Sequence, residues 1–279
     1  MKLGYTFDEK ILKEISINDF FKKIYNEKIK SIEISPDEKL LSLDEYKKIA
    51  ELSTDKKINI NFHVPYFIDE LYEIMNLNNN RKDVIDSYKK LLKLINELQD
   101  ITCKSSMLVI HGGKYKKKEK KSKGIYFTLS FLDWMLNFIE RKKLNITLAF
   151  ETLNKENDRQ VGDTREDVSY IINKFNDSKL GICWDITHDY FNNQKKIKFN
   201  DLSIKDIYYC HIHGRIKNKS HTSIKKSDID FSKQLNYLIK NDYNGILNIE
   251  LLSQYSKKYL DDLLNDIDYL NNLVNKERS

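Results

Sequence analysis

Six histidines occur in 279 residues, and three of them fall in one thirteen-residue stretch, YCHIHGRIKNKSH, from Tyr209 to His221. Every one of the six stands at or just beyond the end of a short apolar run. His63 lies in FHVPYF, His111 in VIHGG, and His188 three residues after Asp185 in CWDITH; His211, His213 and His221 share the Tyr209–His221 stretch. Carboxylates keep the same company: Glu151 ends AFET, Asp185 ends ICWD and Glu250 closes NIE. A carboxylate in an apolar strand is costly to bury unless it is paired or bound to a cation. Two glutamates, an aspartate and several imidazoles at one place would repel or titrate oddly by themselves. Around a divalent cation the same groups make a mixed nitrogen and oxygen shell suited to Zn, Mn or Co. Taken singly, a histidine at a strand end is more often a hydrogen-bonded core or rim residue than a ligand. Glu151 suits a lysine partner, Glu250 a polar layer, and His213, which alternates with His211, a place behind it. The joint pattern is what points to metal chemistry.

The elements that must bring these residues together are legible as eight β-rich apolar runs, most followed by a helical period. The strands are expected at 2–7, 31–35, 60–64, 106–112, 146–152, 180–186, 207–214 and 246–252. Helices are expected at 18–28, 81–100, 127–143, 164–175, 231–241 and 257–277, with Thr164 and Asp167 resembling a capping box with a shortened acid. HDYFNNQKKIKFNDLS, after the sixth strand, is too irregular for a long helix. Alternating strands and helices predict parallel pairing with helical crossovers, and eight such units close into a single α/β (β/α)8 TIM barrel over residues 1–279. In that fold the active site lies at the C-terminal ends of the strands, so residues far apart in sequence converge on one mouth. Two prolines, eight glycines and no Ser/Pro-rich linker give no place to divide the chain.

Composition excludes little. The net charge is +6, but 48 basic residues face 42 acidic ones, interspersed along the chain. The basic cluster KYKKKEKKSKG (114–124) reads as a solvated loop before it reads as a nucleic-acid contact. No apolar run approaches the roughly 20 residues that span a bilayer, so no membrane partner is expected. The segment MKLGYTFDEK carries no secretory leader pattern. Cys103, Cys183 and Cys210 show no metal or disulfide spacing, suit a reducing cytoplasm, and are each expected as buried thiols. HGG at 111–113 is a weak anion-nest signal, and no GxGxxG, Walker or GxSxG motif occurs.

The blocks FHVPYF, VIHGG, AFET, GICWDITH, YCHIHG and HTSIKKSDIDF resemble, in that order, those of the xylose-isomerase-like barrel superfamily. That group holds sugar isomerases and epimerases, some sugar-acid dehydratases, and the endonuclease IV class of abasic-site nucleases. The resemblance runs from the third strand through the eighth. It implies a metal quartet of Glu151, Asp185, His211 and Glu250, as in the ketose epimerases. His188 matches a position that contacts substrate in the epimerases and binds zinc in the nucleases. His63, His111 and His221 match the additional histidines of the trinuclear nuclease centre, and Tyr66 resembles part of its HxxY block. Two departures stand out. Lys219 takes the place of an aspartate of the third zinc site, and Lys225 to Ser227 replace a glycine-acid-glycine. GICWDITH reads closer to the isomerase branch.

The resemblance therefore implies a divalent-metal-dependent isomerase or epimerase acting on a small-molecule sugar or sugar phosphate. Glu151 and Glu250 would move the proton, His188 would hold a substrate hydroxyl, and Arg215 or a nearby lysine would meet a phosphate. The alternatives are a phosphodiesterase of the endonuclease IV type, with DNA as partner, and a barrel whose metal serves folding only. The oligomeric state and the particular sugar are not encoded in any motif.

Overall fold

Parallel strands covered on both faces must be apolar nearly throughout, and the eight runs behave so: all six residues of the strand at Leu180–Asp185 are buried. In the computed structural model the described residues are 1–24, 29–65, 72–74, 77, 81–115, 120–155, 159–192 and 202–278. Tyr66, most of the loop 66–80, the centre of the basic cluster, the end of the expected helix 18–28 and much of 189–205 lie outside them.

In chain order the elements are β1 (Lys2–Phe7), α1 (Ile17–Ile24), β2 (Ile29–Ile34), α2 (Leu43–Asp55), β3 (Asn59–His63), α3 (Arg81–Thr102), β4 (Ser106–Ile110) and β5 (Lys114–Tyr115). Then come α4 (Lys121–Lys142), β6 (Ile146–Glu151), β7 (Arg159–Gln160), α5 (Arg165–Phe175), β8 (Leu180–Asp185) and α6 (Ile186–Asn192). The chain continues with β9 (Ile207–Ile212), β10 (Gly214–Ile216), β11 (Lys219–Thr222), α7 (Ser232–Lys240), β12 (Ile246–Ile249) and α8 (Tyr259–Arg278). Eight strands close a barrel in the order β1-β12-β9-β8-β6-β4-β3-β2, an α/β TIM barrel as the alternation predicts. Two short antiparallel pairs, β5–β7 and β10–β11, stand beyond its strand ends. Among the described residues no helix is long and apolar enough to cross a membrane.

Helices pack by their apolar stripes. In α3 the buried set Val84, Tyr88, Leu91, Leu92, Ile95 and Leu98 recurs every three or four residues. The helix α2 was not among the expected ones, although Ser42 and Glu45 form a full capping box at its start. At α5 the Thr164 side chain does accept from the Asp167 amide, but Asp167 itself turns to Lys121. Cys103 is exposed, against expectation, because it follows α3 in a left-handed turn (φ 52°) that carries the chain off the helix; Cys183 and Cys210 are buried. The HGG segment is not a nest. A Cβ on Gly112 would lie 2.1 Å from the Val161 carbonyl oxygen, and the Gly113 amide is already committed to Thr128 Oγ1 at 3.0 Å. Those glycines let β5 and β7 pack against the barrel.

One buried acid outside the mouth has a measurable consequence. Burial raises Glu9 from 4.5 to about 8, although Tyr46 Oη donates to Glu9 Oε1 at 2.8 Å. Between those two values the unfolded chain is ionised while the folded one keeps its proton. Stability therefore falls as pH rises through that window, by at most ~1.4 kcal/mol per unit. Glu9→Gln is expected to flatten the fall in unfolding free energy from pH 5 to 8, as read by urea denaturation. An unchanged slope in the variant would contradict it.

Candidate metal centre

The ends of β3, β4 and β6 carry the first group. His63 Nδ1 bonds the Val64 carbonyl at 2.7 Å, which leaves Nε2 bare toward the barrel mouth. There it lies 3.1 Å from His111 Nε2 and 3.2 Å from Glu151 Oε2, and His111 Nε2 lies 2.8 Å from the same oxygen. Burial pulls His63 down, but the Glu151 carboxylate against it prevails and lifts it to about 9. Burial lowers His111. Burial alone would raise Glu151; His111 and His211 instead hold its carboxyl well below the usual range.

The second group spans β6, β8, β9 and the residue after β12. Asp185 and His211 are register partners on adjacent strands. His211 Nδ1 lies 3.3 Å from Glu151 Oε1 and 3.7 Å from Glu250 Oε2. The liganding atoms of Glu151, Asp185, His211 and Glu250 all lie within 4.8 Å of one another. Burial raises Asp185 to about 6. Glu250 is held below its ordinary range, since His221 and His211 outweigh its burial.

Behind His211 stands a residue that the sequence reading missed. Glu33, fully buried on β2, accepts from His211 Nε2 at 2.9 Å. Glu33 Oε1 in turn takes the hydroxyl of Thr6 at 3.1 Å and the amide of Asn248 at 3.4 Å. A carboxylate on one ring nitrogen fixes the tautomer and turns the other, Nδ1, toward the centre. The available signal was a lone acid between two isoleucines in SIEIS. Glu33→Gln is expected to weaken metal binding by about 10–100-fold with an unchanged circular dichroism spectrum. Titration calorimetry giving wild-type affinity would remove Glu33 from the site. A second missed set is Asp189, which accepts from Trp184 Nε1 at 3.0 Å and pairs with Arg165, pinning the start of α6 and with it His188.

The third group lies on the β8–α6 and β9–β11 side. His188 Nδ1 is 3.3 Å from Asp185 Oδ2 and 3.2 Å from the Thr152 carbonyl. His213 is fully buried and His221 Nε2 is 3.3 Å from Glu250 Oε2. One nitrogen from each of His188, His213 and His221 falls within 4.8 Å of the others. Arg215 sits on the adjoining hairpin with its guanidinium 4.2 Å over the Phe191 ring. All ten expected site residues thus face one end of the barrel, nine as ligand-type clusters and Arg215 at their edge.

The donor set fits divalent metal. Donors at about 2.0–2.2 Å from a tetrahedral ion stand roughly 3.3–3.6 Å apart, and the spacings above bracket that value. Asp185 Oδ2, Glu250 Oε2 and His213 Nε2 are buried without a hydrogen-bond partner, although each faces other polar atoms at 3.3–3.5 Å. Atoms that crowd without bonding are what a cation between them would reconcile.

Comparison with known proteins agrees with this architecture. The family described as xylose isomerase-like TIM barrel matches residues 21–273. An uncharacterized protein of Methanocaldococcus jannaschii is 26% identical over 178 residues, 60% of this chain and 63% of that one. A probable endonuclease 4 of Sulfurihydrogenibium sp. is 29% identical over 201 residues, 66% of each. The chain spans a little under two thirds of the length of these curated relatives. A crystal structure of a D-tagatose 3-epimerase-like protein superposes over 100% of both chains with a TM-score of 0.75 at 19% identity. Other solved structures sharing the barrel include sugar 3-epimerases.

Proposed function

The chain belongs to the xylose isomerase-like TIM barrel family, and on that premise we propose that it is a divalent-metal-dependent sugar isomerase or epimerase. The observation that carries the reading is the buried quartet, with Glu151 and Glu250 on either side of His211 Nδ1, at 3.3 and 3.7 Å. When bound there, a divalent ion supplies Lewis acidity to a carbonyl and its neighbouring hydroxyl, which acidifies the C–H between them. Glu151 and Glu250 are both held in the ionised form near neutral pH. They are therefore proton acceptors, one taking the proton from carbon and the other returning one. His211, fixed from behind by Glu33, and Asp185 keep the two carboxylates apart and oriented. The carboxyl that returns the proton exchanges with solvent between turnovers, so the proton delivered to the second face differs from the one removed from the first. Arg215 stands at the rim, where a phosphorylated substrate would present its charge. The named activity of the superposing 3-epimerases supports the sugar class.

Incubating the protein with a panel of ketoses and ketose phosphates in D2O, with Mn or Co added, tests the reading. Deuterium is expected at a carbon beside the carbonyl, and a chelator should stop its entry. No exchange with any of them would count against it.

A second reading, metal-assisted phosphodiester hydrolysis, is favoured by one observation: three ligand groups adjoin, two of them sharing Glu151. Clustered ions generate hydroxide and steady a leaving oxygen, and the endonuclease 4 relative carries that activity in its name. Chelator-sensitive nicking of a duplex with an abasic site would install this reading in place of the first.

A further inference from the structure

Three members of the quartet have side chains oriented by polar neighbours. His211 Nε2 donates to Glu33 at 2.9 Å, Asp185 Oδ1 accepts the His188 amide at 2.7 Å, and Glu151 Oε2 faces His111 and His63 at 2.8 and 3.2 Å. Glu250 differs: its Oε2 lies 3.3 Å from His221 Nε2 yet is buried without a hydrogen-bond partner. The place of that carboxylate is therefore set by the backbone that carries it. We propose that Asp8, at the tail of β1, is a positioning residue that holds this backbone through Ser253 and so sets how tightly the quartet binds its ion. The proposal rests on the metal-binding half of the reading above and is indifferent to the substrate.

Glu250 is the first residue beyond β12, where the sheet stops holding the chain on one side. Strand β1 follows β2 in register to Phe7 and Ile34, but it pairs with β12 only to Tyr5 and Ile249. Toward β9 the chain stays bonded: the Glu250 amide donates to the Ile212 carbonyl at 3.0 Å and the Leu252 amide to that of His221 at 3.1 Å. Toward β1, where the ladder has ended, a side chain takes over. Asp8 Oδ2 accepts from both the amide and the hydroxyl of Ser253, each at 2.7 Å, across 245 positions of sequence.

Asp8 can bear on this loop because it is itself fixed. Its Oδ1 accepts the Lys10 amide at 3.1 Å and its carbonyl accepts the Ile11 amide at 3.1 Å, so it caps the 3-10 turn Glu9–Lys13. The next residue, Glu9, is tied to α2 by Tyr46 Oη at 2.8 Å. Asp8 is thus a peg in the barrel rim, and Ser253, three residues after Glu250, is fastened to it. Two bonds to one residue fix its rotation as well as its place. A binding constellation needs its groups held to within about 0.5 Å, and for Glu250 this clasp supplies the β1 side of that restraint.

Calorimetric titration of the chelator-stripped chain with manganese tests the proposal. Asp8→Ala is expected to weaken binding by about 10-fold at a temperature where circular dichroism shows the variant folded. Asp8→Asn, whose amide oxygen can accept both bonds from Ser253, should stand closer to the wild type. Tyr259→Phe is the control for a loosened seam. It removes the bond from Tyr259 Oη to the Thr6 carbonyl, 2.9 Å long, and leaves the Asp8–Ser253 bonds in place. It should lower the melting temperature and leave manganese affinity unchanged. Wild-type affinity in Asp8→Ala, or equal weakening in Tyr259→Phe, would overturn the proposal. Should Asp8→Ala fail to fold, Ser253→Ala decides, since it removes the hydroxyl bond alone. Weakening by about threefold supports the clasp, and wild-type affinity overturns it. Failure of the isomerase reading looks different: no deuterium exchange in a wild type that binds manganese and still loses affinity through Asp8→Ala.

Discussion

Replacing Glu151 by glutamine is expected to lower proton transfer by at least about 10³-fold and to remove metal from two side-chain groups at once. The reason is position. Oε2 of this carboxylate faces His111 and His63 at 2.8 and 3.2 Å, while Oε1 faces His211 at 3.3 Å. Among the described residues no other side chain belongs to both groups. An amide keeps the volume but offers a neutral oxygen and an N–H where both imidazoles present lone pairs. It also strips His63 of the carboxylate that chiefly raises its affinity for a proton, whereas His211 keeps Glu33 and Glu250 beside it. Glu250→Gln is the informative contrast. It should cost as much in turnover, as the second proton carrier, yet leave the His63–His111 side able to bind. Metal content and deuterium exchange measured on both variants check the pair. Wild-type metal content in Glu151→Gln would show that the carboxylate bridges nothing.

The second large effect is on stability. Four buried acids, Glu33, Glu151, Asp185 and Glu250, stand among four buried imidazoles, His63, His111, His211 and His213. Without metal, protons on His63 and His211 offset part of that charge, as their raised affinities imply. A divalent ion replaces those protons, so binding should release them and weaken as pH falls. At a thousand-fold excess over its dissociation constant, one ion adds about 4 kcal/mol to the native state. For a chain of this length that is of the order of 10 °C in melting temperature. Chelator treatment at pH 7.5 is thus expected to lower the melting temperature by roughly that amount, with recovery on adding metal. At pH 5 the difference should shrink. A melting temperature indifferent to chelator at both pH values would mean that the acids are balanced by protons alone.

How much of this is readable from the chain differs by element. The eight strands are legible because a doubly covered parallel strand must be apolar along its length. The boundaries drift at the C-terminal ends, where polar site residues follow without a break, as at Ile212–His213 and Ile249–Glu250. The rim histidines and carboxylates are legible by type and by their place after each run. Glu33 is not, since its partner His211 is 178 positions away and only closure of the barrel brings β2 within reach of β9. The inward turn of His213 and outward turn of Lys219 are likewise products of a hairpin that residue identities alone do not orient. Cys103 failed for a smaller reason: it looks apolar by context, but the left-handed turn after α3 exposes it.

Anomalous diffraction from crystals of the protein soaked in manganese tests the central claim most directly. The account predicts a peak bonded in common by Glu151, Asp185, His211 and Glu250, at about 2.0–2.3 Å from one atom of each. A mouth without such a peak at saturating manganese, or one in which these four side chains turn to hydrogen bonds with one another and the ion binds elsewhere, would contradict it.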